Sequence, residues 1–200
     1  MINHNERLII VVGMAHSSTT IMTYLLKQHP DVYCHSIGTE SWLFESDFLS
    51  NEKSDSIQNL LYNNLDKRVL LKKPWNTSHH GEWMQREMPD ARYLYCLRPF
   101  EDITISWSKS DSFMPDELRY CGRDCQKMFY EICLSKDLAF GESVSNFRIS
   151  HYSDFVSNPI HTMNSIGDWL GLSEFKWDVS DVGVKKNIKM SLQKKWISYL

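Results

Sequence analysis

The sequence predicts an α/β fold of three layers, a central and mostly parallel sheet of about four or five strands with helices on both faces. Three observations predict it. Short, continuous apolar runs rich in β-branched residues alternate with longer amphipathic segments. The apolar runs end at Gly, Pro or a charged residue. The 200 residues, 42% hydrophobic and 24% charged, suit one globular domain over 1–200 with no repeat and no low-complexity linker.

Taken in order, Arg7–Val12 (RLIIVV) reads as a buried strand ended by Gly13. Ser18–Gln28 reads as the following helix, with Ile21, Leu25 and Leu26 on one face and Pro30 as its stop. Val69–Leu71 is a second buried strand, ended by Pro74, and His79–Met88 a short helix closed by Pro89. Arg92–Leu97 (RYLYCL) is a third strand, and Glu101–Lys109 a third helix. Pro115–Gly141 reads as helical and polar on one side, and Asn146–Ile149 as a further strand. Pro159–Leu170 is an amphipathic helix with proline in its first turn and Gly171 after its end.

The formal charge of −3 argues against a general polyanion binder, so nucleic acid is not an expected partner and an anion site must be local. Lys185, Lys186, Lys189, Lys194 and Lys195 form one local cluster. No stretch approaches the roughly 20 apolar residues of a membrane span. The start, MINHNERLIIVVG, lacks the features of a secretion signal, and the expected location is cytoplasmic. The odd count of five cysteines (Cys34, Cys96, Cys121, Cys125, Cys133) suggests free thiols. Cys121 and Cys125 have no second pair at zinc spacing, so no metal is expected.

Chemistry concentrates after the first strand, in Gly13-Met14-Ala15-His16-Ser17-Ser18-Thr19-Thr20. A strand-to-helix loop of this kind presents unpaired helix N–H groups and the positive end of the helix dipole to an anion. The spacing is close to that of the ATPase phosphate loop, but Ser18 and Thr19 stand where that loop has its second glycine and its lysine. Without the lysine, and without a clear metal-holding aspartate, ATP hydrolysis is not expected.

The run GMAHSSTTIMTYLLKQHPDVYC resembles the sulfotransferase pattern G-x-x-[RK]-S-G-T-T followed by a helix and H-P-x-V, closest to the protein-tyrosine and carbohydrate branch. The resemblance implies a three-layer fold like that of nucleotide kinases. It also implies transfer of a sulfuryl group from 3′-phosphoadenosine 5′-phosphosulfate (PAPS) to an acceptor hydroxyl, with adenosine 3′,5′-bisphosphate (PAP) released and no metal. Ala15, His16, Ser17, Ser18, Thr19 and Thr20 would hold the 5′-phosphosulfate. Two residues depart from the pattern. Ser18 replaces glycine, so a positive φ there would leave the loop strained or reshaped. His16 replaces the fixed positive charge that the family aims at the sulfuryl and phosphate oxygens, and a histidine holds its charge only at low enough pH.

A second run, YLYCLRPFEDITISWSK, resembles the family's 3′-phosphate site, strand–R-x-P-x-D-x-x-x-S. Arg98 and Ser106 match it. Independently of the family, Arg98 follows a buried strand and emerges at its carboxyl end, where open α/β sheets bind ligands, and its planar fork suits a phosphate. VLLKKPWN resembles the family's K-x-P segment, with Lys72 as the lysine that stabilises the leaving phosphate. In the loop HSIGTESWLFE, Glu40 lies where the protein-tyrosine branch has its base; Glu45 and His35 are rivals, since the spacing is longer here. FRISHYSDFVSNPIHTMNSIGDWLGL resembles the Y-E-D-L-x-x-x-P segment, with Tyr152 beside the nucleotide, and SDVGVKKNIKM resembles the closing tail loop, with Lys185 facing a phosphate.

The catalytic set implied is Glu40, His16 and Lys72. The acceptor class stays open between a sugar, a small alcohol or phenol and a peptide tyrosine, and the oligomeric state is not readable. Two rival functions remain, a nucleotide-binding protein without transferase activity and a small-molecule kinase. Turnover separates the first rival, and dependence on a divalent metal separates the second.

Overall fold

The computed structural model of the chain describes residues 4–34, 54–74, 76–107, 118 and 121–180. Its centre is a five-stranded parallel sheet: β1 (Leu8–Gly13), β2 (Val32–Cys34), β3 (Arg68–Lys72), β4 (Arg92–Leu97) and β5 (Phe147–His151), in the order β2-β3-β1-β4-β5. Among the described residues the helices are α1 (Thr19–Leu26), α2 (Ser54–Tyr62), α3 (Asn76–Glu87), α4 (Phe100–Trp107), α5 (Arg123–Ser143), α6 (Tyr152–Ser157) and α7 (Pro159–Leu170), with a 3₁₀ turn at His4–Arg7.

Both faces of the sheet are covered, which is why its strands read as continuous apolar runs. Alternate residues of β1 divide between two cores. Ile9 and Val11 pack with Leu70 and Leu94 against Met22 and Leu25 of α1, Phe155 of α6, and Met163, Ile166 and Leu170 of α7. Leu8, Ile10 and Val12 pack with Val69, Leu71, Tyr93 and Tyr95 against Ile57 of α2, Trp83 and Met84 of α3 and Phe140 of α5. Each such side chain, fully removed from water, contributes roughly 1.5–3 kcal/mol. A smaller cluster of Met14, Phe100, Ile103, Tyr130 and Cys133 ties the loop after β1 to α4 and α5.

The expected three-layer α/β architecture and strand number hold. Arg92–Leu97 and Pro159–Leu170 form at their expected bounds. Pro159 starts the second of these, Asn158 caps it by accepting from the His161 amide, and Gly171 ends it with φ 63°. The other strands and helices shift by a few residues at their ends. The long helix runs from Arg123, with the extended Gly122 (φ −66°, ψ 167°) as its N-cap, and the start expected at Pro115 lies outside the described residues. The edge strand β2, with three residues, and the short helices α2 and α6 were not expected from periodicity.

Strand order places the site. β1 lies between β3 and β4, with Val11 opposite Lys72 and Gly13 opposite Cys96. The helices that follow β1 and β3 pack on opposite faces, so a crevice opens at the carboxyl ends of these neighbouring strands.

One buried carboxylate braces this end of the sheet. Asp137 of α5, 1% exposed, accepts from the Thr77 hydroxyl in the first turn of α3, just after the Lys72–Pro74 segment. Burial pushes its carboxyl up to about 6, against the opposing hydrogen bonds from Thr77 and Tyr95. A carboxyl raised on folding contributes stability that is complete below its ordinary range and is lost as pH rises through the raised value. On changing Asp137→Asn, the stability difference from wild type should therefore move in favour of the variant as pH rises from about 4 to about 6, by up to about 3 kcal/mol. Melting temperatures of both proteins across that range check this; a pH-independent difference would refute it.

Candidate functional site

The loop from Gly13 to Ser18 is built tightly. Gly13 has φ 143°, and a Cβ there would lie 2.6 Å from both the Cys96 carbonyl oxygen and Ser17 Oγ, so only glycine lets β1 turn against β4. The Ser17 amide closes the turn on the Met14 carbonyl at 3.0 Å. Ser18 caps α1 from the left-handed region (φ 79°), and His16 is left-handed as well (φ 67°). The chain thus keeps at Ser18 a backbone that glycine would adopt freely, at a cost of roughly 1–2 kcal/mol for each such residue.

Two cations flank the loop, one from each neighbouring strand. Lys72, the last residue of β3, is 1% exposed, and its ammonium donates to Thr20 Oγ1 at 2.9 Å. Arg98, just past β4, donates from a terminal guanidinium nitrogen to the His16 carbonyl at 3.0 Å. Its guanidinium carbon lies 4.3 Å from the centre of the Tyr152 ring, a cation–π contact. Tyr152 opens α6 directly after β5, whose His151 pairs with Leu97, so the register of β5 on β4 sets this contact.

His16 is the joint of the arrangement. Its Nδ1 and Ser106 Oγ of α4 are 2.9 Å apart, across 90 residues of chain. The phosphate-type loop and the Arg98–Ser106 motif therefore meet at one residue. Burial, then the charges of Arg98 and Lys72, hold the His16 imidazole below the usual histidine range. The neutral form is thus favoured in this arrangement, and fixed positive charge comes from Lys72 and Arg98.

Two buried polar atoms here have no protein partner, Ser17 Oγ and Arg98 Nε. Buried polar atoms are nearly always paired, and orphans beside a helix N-terminus and two cations suit an oxyanion ligand. The donor set of hydroxyls, amides, ammonium and guanidinium fits the phosphates of PAPS or PAP and needs no metal to do so. Among the described residues, no three His, Cys, Asp or Glu side chains converge as metal ligands.

Of the residues expected at the site, His16, Thr20, Lys72, Arg98, Ser106 and Tyr152 make the mutual contacts described. Ala15 and Thr19 are buried in the loop and at the start of α1. Glu40, its rivals Glu45 and His35, and Lys185 lie outside the described residues. Tyr130 escaped sequence analysis: its hydroxyl donates to the Arg98 carbonyl at 3.0 Å and so holds the turn that aims the guanidinium. On a long amphipathic helix a lone tyrosine reads as core, and no local signal distinguishes it.

No protein-family profile matches the chain. A Caenorhabditis briggsae protein, provisionally named a protein-tyrosine sulfotransferase, is 22% identical over 233 residues, covering 94% of this chain and 81% of its own. The fold is similar to that of the sulfotransferase domain of the Synechococcus PCC 7002 olefin synthase, with TM-score 0.62, 14% identity, and coverage of 84% of this chain and 74% of that one. An Alicyclobacillus acidocaldarius sulfotransferase superposes with TM-score 0.59 and 14% identity over 93% of this chain and 91% of its own. A mouse sulfotransferase solved in complex with PAP gives TM-score 0.55 and 13% identity over 93% of this chain and 63% of its own. Among the described residues no helix is long and apolar enough to cross a membrane. Motifs, relative and fold point the same way: the chain is similar to the sulfotransferases, and that resemblance is supported by each of them.

Proposed function

We propose that the chain, acting as a single domain over 1–200, transfers the sulfuryl group of PAPS to an acceptor hydroxyl and releases PAP. One observation carries the reading. Two phosphate-type motifs 82 residues apart are joined at His16, whose carbonyl takes Arg98 and whose ring takes Ser106, beside a buried lysine at the carboxyl end of a parallel sheet.

PAPS supplies the activated sulfuryl group; the protein supplies binding, charge and a base. In this reading the amides and hydroxyls of Ala15, His16, Ser17, Ser18, Thr19 and Thr20 bind the 5′-phosphosulfate at the positive end of α1. Lys72 balances the charge that builds on the leaving oxygen, and His16 shares that load when protonated. Such preorganised electrostatics is usually the largest single contribution to the rate. Arg98, Ser106 and Lys185 hold the 3′-phosphate, with Tyr152 packed against the guanidinium. Glu40 takes the proton of the acceptor hydroxyl. The provisional name of the worm relative puts peptide tyrosine first among the acceptors to test, ahead of sugars and small phenols or alcohols. All five cysteines are free thiols, which supports a reducing, cytoplasmic setting.

PAP is expected to raise the melting temperature without magnesium, and more than ATP or 5′-AMP does. A ligand that binds only the folded state stabilises it by about 2.7 kcal/mol at 100 times its Kd. Equal shifts with PAP and 5′-AMP would remove the 3′-phosphate assignment, and a shift that vanishes in EDTA would favour a kinase. The depressed His16 and strained Ser18 favour, as second reading, a PAP-binding protein without turnover. Release of PAP in the presence of an acceptor panel separates the two.

A further inference from the structure

His16 sits among positive charges, and an anionic ligand would reverse the field around it. Among the described residues, the groups that act on it come from several elements. From β3 comes Lys72, and from beyond β4 comes Arg98, both of which oppose a charge on the imidazole. Cys96, the β4 residue opposite Gly13, has its thiol pushed up to about 12 by burial and stays neutral. From α4 comes the uncharged Ser106 hydroxyl, and α6 contributes Tyr152, spent on Arg98. Among the described residues, the charges that act on His16 are both positive. Beside it lie Ser17 Oγ and Arg98 Nε, the two buried polar atoms without a protein partner.

We propose that this site takes up a proton, on His16, each time its anionic ligand binds, so that the positive charge the loop lacks by sequence is recruited from solvent by the ligand itself. The inference rests on the reading of the site as a PAPS site and goes beyond it, because a residue with a permanent charge at this position could not do the same. A neutral imidazole carries one proton on its two nitrogens; the second comes from the buffer, goes to the bare nitrogen, and leaves both nitrogens as donors. One of them, Nδ1, then donates to Ser106 Oγ, and the net charge of the loop rises by one as the phosphates arrive. Burial strengthens the coupling, since a charge in a half-buried site is poorly screened by water. By linkage, affinity must fall with rising pH, by up to about tenfold per unit between the His16 pKa of the empty site and that of the occupied one.

The test is titration calorimetry of the whole chain with PAP at about pH 7.5, where the second ionisation of its phosphates is nearly complete. The same titration is run in two buffers of different ionisation enthalpy, with wild type, His16→Arg and His16→Asn. Asparagine tolerates the left-handed backbone at this position better than most residues, so it guards against a variant that fails to fold. The buffer dependence of the heat counts protons, and the wild type is expected to take up a substantial fraction of one proton more than either variant. The pH dependence of its affinity should be correspondingly steeper than theirs. A wild type that binds PAP without this excess uptake overturns the proposal and leaves the sulfotransferase reading intact. Equal uptake in wild type and both variants also overturns it, because the proton then lands elsewhere. Absence of PAP binding by folded wild type overturns the reading of the site and this inference with it.

Discussion

Glu40→Ala is expected to slow sulfuryl transfer by about 10²–10⁴-fold, the usual worth of a general base, while PAP affinity stays nearly constant. In the proposed reaction the base would touch the acceptor and not the nucleotide, so the loss belongs in turnover. Glu40→Gln should be as damaging, since it keeps the shape and removes the basicity. The same two changes at Glu45 should do little. If the Glu45 variants lose turnover and the Glu40 variants keep it, the longer spacing after Cys34 has moved the base along the chain. If neither pair loses turnover, His35 is the next residue to test, or the acceptor is acidic enough to react without a base.

The second large effect is expected at Arg98. Arg98→Ala should weaken PAP binding by about 2–3 kcal/mol, or roughly 30–150-fold, the scale for losing a charge-assisted partner. The structure adds a reason for the effect to sit at the upper end. The same guanidinium that would meet the 3′-phosphate also holds the His16 carbonyl and lies over Tyr152. Its removal would loosen the phosphate loop from the far motif. Arg98→Lys should not restore affinity, because an ammonium has no planar fork and cannot span the loop carbonyl and a phosphate in one plane. The fold should survive either change, since Arg98 is only part-buried and lies beyond the end of β4. Unchanged PAP affinity in folded Arg98→Ala would exclude the role.

The site was legible in the sequence to the extent that it is local. The loop Gly13–Thr20 is one continuous stretch whose meaning follows from strand, glycine and helix start. Arg98 and Lys72 each announce themselves as a charge at the end of an apolar run. What is long-range was not legible. Nothing near His16 in the chain indicates Ser106, 90 residues away, as its partner. Nothing near Tyr130 indicates that it holds the Arg98 carbonyl. The Asp137–Thr77 brace also joins elements with no common motif. The short elements β2, α2 and α6 escaped for another reason: three to nine residues carry too few turns of any period to stand out.

The sequence by itself therefore determined the layers and four of the five strands that build them, because burial on both faces writes itself into continuous apolar runs, and it marked the charged residues that follow where those runs stop. The tertiary structure alone decided the electrostatic state of the site. Strand order sets β3 and β4 on either side of β1, so Lys72 and Arg98 converge on His16 and, with burial, hold it below its usual range. A residue type carries an ordinary pKa, but the charge it bears depends on desolvation and on neighbours that only the folded chain brings within reach.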